Sequence, residues 1–359
     1  MIIMPCRTLV INPGSTSTKI AVYSDKDKIF EDNIEHTKDD LASFDNVFEQ
    51  KEYRMELVTD ALEEAGFSYK QIDVVIGRGG LGKPIEGGIY AINDAMLKDV
   101  SSGFYGEHPA NLGPVIAREI ADDIGVPALV MDPVSVDEME TVARLSGLKE
   151  LPRISMMHTL NSRAVARKYA EEIGKEYEDL NFVVAHLGAG ISITPHTRGR
   201  IIDCNNTFEG GPMCPDRAGG LPSKSLVQLC YSGKYRTVDE LIKKMTREGG
   251  IYDHLGTKDL RIVEKMVREG NEYADLVLKA MVYQIAKEIG AMATVLKGEV
   301  DFIIITGGMA YSDDLVKNIS DRVRFIAPTV IRPGENELEA LALGALRAME
   351  GEEAIKTYK

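Results

Sequence analysis

The apolar positions of the chain fall into short runs that break at glycine. Leu9, Val10 and Ile11 form the first, and after the polar stretch NPGSTSTK (12–19) Ile20 and Val22 alternate with Lys19, Ala21 and Tyr23. A run, a tight polar turn and an alternating run predict a β-hairpin. Gly14 is expected to admit a backbone turn where a Cβ would clash. The charged residues 25–40 predict further strand and loop. Residues 53–65 set Met55, Val58, Ala61, Leu62 and Ala65 on one helical face, with Gly66 as terminator. A buried strand at 72–76 runs into Gly77-Arg78-Gly79-Gly80. Asn111 is the expected cap of a helix carrying Leu112, Val115, Ile116, Ile120 and Ile124 that stops at Gly125. A second buried strand, 128–131, precedes Asp132-Pro133. Strand, helix and strand at this spacing predict a largely parallel α/β sheet with loops gathered at the strand ends.

The pattern then starts again. Residues 182–185 lead into His186-Leu187-Gly188-Ala189-Gly190, and Ile191 and Ile193 alternate with Ser192 and Thr194. Setting Gly14 on Gly188 aligns two strand–Gly-turn–strand units. A long helix (274–296) and a strand (302–305) follow, the strand ending in Thr306-Gly307-Gly308. The expectation is a duplicated α/β domain with one Gly turn from each half facing a shared cleft. The last helix, 338–349, follows a break at Pro333-Gly334 and returns to the first half. The predicted domains are 1–151 with 337–359, and 152–336.

Composition narrows the partners. Of 359 residues, 44% are hydrophobic and 27% charged, which is ordinary for a globular protein. The net charge of −14 argues against general nucleic-acid or anionic-membrane binding, so an anionic substrate needs a locally basic site. The four cysteines form no C-x-x-C pair, which suits reduced thiols in the cytoplasm. The first strand begins too early for a signal peptide, and no apolar run reaches bilayer length.

Candidate chemistry sits in the loops. Ser15, Thr16, Ser17, Thr18 and Lys19 offer hydroxyl donors and a cation around Gly14, a set that suits a polyphosphate. GRGGLGK (77–83) matches P-loop spacing, but Pro84 stands where a Ser or Thr must ligate Mg²⁺, and no helix start follows; a P-loop is rejected. Arg78, between glycines, can hold a carboxylate or phosphate in a fork, or form a surface ion pair. His108, His158 and His186 stand where regular elements meet loops. Arg217, in a Gly/Pro-rich loop, is a candidate for charge stabilisation in phosphoryl transfer or half of an Asp216/Arg217 turn. Glu337 can ligate Mg²⁺ or favour a helix N-terminus.

The ordered motifs NPGSTSTK, GEHPANLG, VMDP, MMHTLNSRAVA, AHLGAG and PDRAGG resemble the acetate/butyrate kinase family end to end, and within it the butyrate kinases. The resemblance implies the duplicated actin-like ATPase fold of sugar kinases, actin and heat-shock ATPases. It implies ATP-dependent phosphorylation of a short-chain carboxylate, butyrate or a branched-chain acid, with acetate or propionate as the alternative acceptor. A more distant alternative is a non-enzymatic actin-like nucleotide switch. By position it assigns Asn12 and Glu337 to Mg²⁺, and Ser15, Thr16, Ser17 and Lys19 to the first phosphate loop. His186, Leu187, Gly188, Ala189 and Gly190 fall in the second. Asp259, Leu260, Arg261, Thr306, Gly307, Gly308, Met309 and Ala310 fall in nucleotide-binding segments. His158 and Arg217 match the pair that stabilises the transition state, Asp132 an active-site aspartate, and His108 a cleft histidine. The chain departs at Val75, where acetate kinases carry a substrate arginine. Arg78 is expected to take over the carboxylate. A phosphotransacylase as supplier of acyl phosphate, and a homo-oligomer (dimer or higher), complete the expectations.

Overall fold

The computed structural model describes residues 5–359. The chain divides into two compact units, Met1–Val136 with Asn336–Lys359, and Asp137–Glu335. The first unit is therefore left at Val136 and not at residue 151. The intervening stretch belongs to the second unit because Glu138 is buried there. Its Oε2 accepts from Arg163 Nη2 at 2.9 Å and from the Ile201 N–H at 2.8 Å.

The first unit carries a sheet in the order β12 (Ile355–Thr357), β5 (Ile89–Ala91), β6 (Ala128–Met131), β4 (Val74–Arg78), β1 (Arg7–Pro13), β2 (Ser17–Ser24), β3 (Asp27–Glu35). The second carries β11 (Thr329–Pro333), β10 (Phe302–Gly307), β7 (Phe182–Leu187), β8 (Ile191–Thr197), β9 (Arg200–Ile201). In the first sheet β6, β4 and β1 are parallel and β2 and β3 antiparallel. In the second, β11, β10 and β7 are parallel and β8 and β9 antiparallel. The same five-strand pattern occurs twice, each time around a hairpin that turns at Gly14 or Gly188.

The first hairpin is in register from Arg7↔Ser24 to Pro13↔Thr18. Leu9, Ile11, Ile20 and Val22 pack with Leu112, Ile116 and Ile120 of the Leu112–Ile124 helix. Ala21 and Tyr23 are buried as well. They point to the other face of the sheet, where the Glu337–Glu350 helix lies against β1 and β2. In the second unit Ala185, Leu187, Ile191 and Ile193 meet Met281, Ile285 and Ile289 of the Glu272–Val295 helix.

Two local expectations change. Asn111 does not cap its helix: its Oδ1 accepts from the Leu81 N–H at 2.8 Å, and its Nδ2 donates to Val100 O at 2.9 Å. The cap is one turn earlier, where His108 Nδ1 accepts from the Ala110 N–H at 3.1 Å. Gly14 is not left-handed, and a Cβ there would lie 3.3 Å from Ser17 O, close but not overlapping. The expected clash is thus only a tight contact.

The glycines that the fold does require hold Arg78 in place. A Cβ on Gly77 would lie 2.4 Å from Gly113 O, and one on Gly113 would lie 2.2 Å from Arg78 O. β4 and the Leu112–Ile124 helix touch backbone to backbone, so the GRGG stretch serves packing. Gly113→Ala is expected to force the two apart and cost about 1–3 kcal/mol, as overpacking does. Urea unfolding at matched protein concentration checks this, and an unchanged midpoint would remove the argument.

Candidate active site

In the first unit, β1 and β4 run parallel and deliver Asn12 and Arg78 to the same sheet end. The Glu337–Glu350 helix begins there. Asn12 Nδ2 donates to Glu337 Oε2 at 2.8 Å, and Arg78 Nη1 lies 3.0 Å from the same oxygen. Arg78 Nη1 also reaches Asn12 Oδ1 at 3.4 Å. Asn12 and Glu337 are buried and Arg78 is half-buried. The two residues expected at a metal and the one expected at a carboxylate thus form one linked cluster.

His108 stands close enough to feel the Arg78 charge. Burial, and secondarily that charge, hold its imidazole down at about 4. It is neutral at pH 7, and because Nδ1 accepts from Ala110, its proton sits on Nε2. Asp132 is buried with φ +42°. Its Oδ1 accepts from the Gly88 N–H at 2.8 Å, which fixes the loop ahead of β5.

The turn between β1 and β2 divides its hydroxyls by strand alternation. Ser15, Thr16 and Lys19 are exposed and Ser17 half-buried, whereas Thr18 is buried. Thr18 Oγ1 lies 2.8 Å from His36 Nε2.

In the second unit the turn from His186 to Gly190 is held at both ends. His158 and His186 stack with ring centroids 3.9 Å apart and planes 12° from parallel. His158 Nδ1 is 2.9 Å from Ser192 Oγ, and His186 Nδ1 is 2.9 Å from Asn161 Oδ1. Thr306 Oγ1 joins through Asn161 Oδ1 at 3.4 Å and lies 3.2 Å from Gly334 O. His186 Nε2 comes within 3.0 Å of Glu335 Oε1 but makes no aligned hydrogen bond. At the other end, a Cβ on Gly190 would lie 2.5 Å from Arg217 Nη1. Arg217 donates from Nη1 to Thr207 O at 3.1 Å and lies 4.1 Å from the Phe208 ring centroid. The Gly turn thus has His158 at its start and Arg217 at its end.

The remaining predicted residues separate into exposed and core. Ala189 is exposed and Gly188 half-buried, whereas Leu187 is core. Gly307 has φ +89°, and a Cβ would lie 2.5 Å from Leu187 O, so β10 ends hard against β7. Gly308 is exposed, but Met309 and Ala310 point into the core. Asp259 caps the Leu260–Arg268 helix through Arg261 N–H, and its carboxylate is ion-paired with the exposed Arg261. Leu260 is half-buried.

The site also contains residues that sequence reasoning did not single out. Asn161 lies one helical turn after His158, and Ser192 is the polar partner in the Ile191/Ile193 alternation. Both signals were present as spacing. Among the described residues no group of three or more His, Cys, Asp and Glu side chains is arranged to hold a metal, and no helix is long and apolar enough to cross a membrane.

Burial of neutral histidines has a measurable consequence. His36, like His108, is held down at about 4, by burial first and Arg54 second. The unfolded chain takes up these protons near the ordinary value of 6.5, the folded chain only near 4. Stability from these groups is therefore full above about pH 6.5 and is lost as pH falls toward 4. The urea midpoint should fall between pH 7.5 and 5, and less steeply in His36→Asn. Equal slopes in the two proteins would contradict the assignment.

Comparison with known proteins places these features. A model described as the acetokinase family matches residues 153–326. Butyrate kinase 1 of Clostridium acetobutylicum is 49% identical over 354 residues, 98% of this chain and 99% of that protein. The acetate kinase of Porphyromonas gingivalis superposes with a TM-score of 0.78 at 20% identity, over 94% of this chain and 98% of its own. A propionate kinase from Francisella tularensis gives 0.73 at 18%, over 94% and 98%. At such identities the two structures speak for the fold alone, the duplicated actin-like ATPase fold that the repeated five-strand pattern also displays. The likeness to the Clostridium protein spans nearly the whole chain, and on it the chain belongs to the acetokinase family.

Proposed function

We propose that the protein is a butyrate kinase, moving the γ-phosphoryl group of ATP reversibly to a short-chain aliphatic carboxylate. The observation that carries this reading is the 49% identity to Butyrate kinase 1 along 98% of the chain. A carboxylate oxygen attacks phosphorus, the bond from phosphorus to the β-phosphate bridging oxygen breaks, and ADP leaves. An aliphatic acid has a pKa near the Glu value of about 4.3, so the acceptor is already ionised at neutral pH. The reaction needs no general base. It needs positive charge and donors that offset the meeting of two anions.

The chain's residues take roles that fit this need. Arg217 and His158, fixed at the two ends of the second Gly turn, neutralise the oxygens of the transferring group. Ser192 orients the His158 ring through Nδ1. The exposed hydroxyls and Lys19 of the first turn hold nucleotide phosphates. Arg78 holds the acceptor carboxylate, beside the neutral His108. Asp132 keeps the loop before β5 in place through Gly88.

Asn12 and Glu337 supply hard oxygen donors, one amide and one carboxylate, that fit Mg²⁺. An ion held there would supply positive charge that stabilises the transferring phosphoryl group. Arg78 Nη1 lies 3.0 Å from Glu337 Oε2, so the residue proposed for the acceptor carboxylate stands beside the pair that would hold the ion. The same reading gives a cytoplasmic homo-oligomer that accepts acyl phosphate from a phosphotransacylase.

Hydroxamate trapping of acyl phosphate across C2 to C6 acids tests the function. Butyrate or a branched C4–C5 acid is expected to give the highest kcat/KM. The preference over neighbours should be modest, because one methylene is worth about 1–3 kcal/mol in an apolar pocket. A maximum at acetate would replace the reading with acetate kinase. ATP turnover that ignores added carboxylate would point instead to a nucleotide switch.

Arg217→Ala is expected to lower kcat about 10³-fold with little change in ATP affinity. Gly190→Ala should do part of the same by pushing the guanidinium aside. Loss of ATP affinity alone in both variants would take Arg217 out of the transition state.

A further inference from the structure

Arg54 lies in the Lys51–Glu64 helix and is fully buried. Among the described residues no carboxylate bonds to it. Nε and Nη2 donate to Gln50 Oε1 at 3.1 and 2.9 Å, and Nη1 donates to Ser17 O at 3.2 Å and Thr18 Oγ1 at 2.9 Å. Its other titratable neighbours are Tyr53 and His36, and both of these feel the exposed Asp40 carboxylate. Burial draws the guanidinium down to about 10, still charged at neutral pH. Burial first, and this guanidinium second, keep His36 neutral. Among the described residues, the buried charge of Arg54 thus meets no carboxylate directly; Asp40 acts only from the surface side, through His36 and Tyr53. Burying a charge without a partner is costly, and arginines in protein interiors are normally paired.

The place of this charge explains the expense. Ser17 O accepts from Arg54 and also from the Gly14 N–H at 2.7 Å, and His36 N–H donates to Thr16 O at 2.8 Å. These bonds pin the turn that carries Ser15, Thr16 and Lys19 outward. The second hairpin offers a parallel. With Gly14 set on Gly188, Thr18 falls on Ser192, and each hydroxyl holds a nitrogenous side chain from another element: Arg54 and His36 in one unit, His158 in the other.

We infer that Arg54 is a positioning residue for the first phosphate loop, a buried cation that pre-sets the turn and supplies, from behind the backbone, countercharge for the β- and γ-phosphates of the nucleotide. The inference rests on the reading of residues 12–19 as that loop. The missing countercharge is the nucleotide itself, which enters from the opposite side of the turn and does not touch Arg54.

The test compares ligands that do and do not carry those phosphates. Affinities for ATP, ADP and adenosine are measured by calorimetry on wild type, Arg54→Gln, Arg54→Lys and Lys19→Ala, with unfolding midpoints alongside. Arg54→Gln is expected to weaken ATP and ADP about tenfold or more and leave adenosine within about twofold. Arg54→Lys, which keeps the charge but not the fork, should recover a part. Equal losses for ATP and adenosine, or none for either, would overturn the inference. If Arg54→Gln does not fold, Thr18→Val serves in its place: it removes the hydroxyl that Arg54 grips at nearly constant shape, and the same split is required of it. Lys19→Ala separates the two levels of the argument. If it too leaves ATP affinity unchanged, the loop itself is misassigned; if it weakens ATP while Arg54→Gln does not, only the role of Arg54 falls.

Discussion

Glu337 Oε2 is the point on which the first unit closes. Asn12 from β1 and Arg78 from β4 both meet it, and Glu337 itself opens the helix that covers the outer face of the first hairpin. Three segments far apart in sequence are joined through one oxygen. A buried carboxylate is tolerable only because a guanidinium and an amide satisfy it. The same bonds decide where Asn12 and Arg78 point. With the roles proposed for Asn12, Arg78 and Glu337, stability and function are drawn from one cluster.

The duplication extends beyond topology. Each unit presents a strand, a Gly turn and a second strand, and each braces that turn through the second residue of the second strand, Thr18 or Ser192. The first turn is braced by a charged, hidden arginine and stays polar at its tip. The second is braced by stacked histidines and exposes Ala189, with Arg217 packed against Gly190. The two halves have been specialised by what stands behind each turn more than by the turns themselves.

Much of the fold was readable because its signals are local. Apolar runs broken by glycine located β1, β4, β7 and β10, the run before Asp132-Pro133 located β6, and the helix stops at Gly125 and Gly66 agree with their positive φ. The alignment of Gly14 with Gly188 anticipated the equivalence of the two sheets. The misreadings were of side-chain direction. Asn111 looks like a helix cap because of its type and place, yet its amide is used to fasten a loop to Val100 and Leu81. Tyr23 and Ala21 looked like the wet side of a strand and are covered by a helix that arrives more than 300 residues later. Arg54 was invisible for the same reason: an arginine among Glu52, Tyr53 and Met55 reads as surface, and only the distant hairpin makes it interior.

The discontinuity of the first unit sets an order on biosynthesis. Residues up to Val136 leave the ribosome first, but the helix that covers the hairpin and brings Glu337 to Asn12 begins at Glu337, after the whole second unit. At about 5–20 residues per second, that interval lasts about 10–40 s. Throughout it, one face of β1 and β2 lacks its cover, and Arg78 and Asn12 lack their shared acceptor. The second unit is contiguous and has all its parts in hand when its last strand emerges. The nascent chain therefore completes first the half that carries the stacked His158 and His186. The half that holds the paired Asn12 and Arg78 is finished only after the helix beginning at Glu337 has emerged.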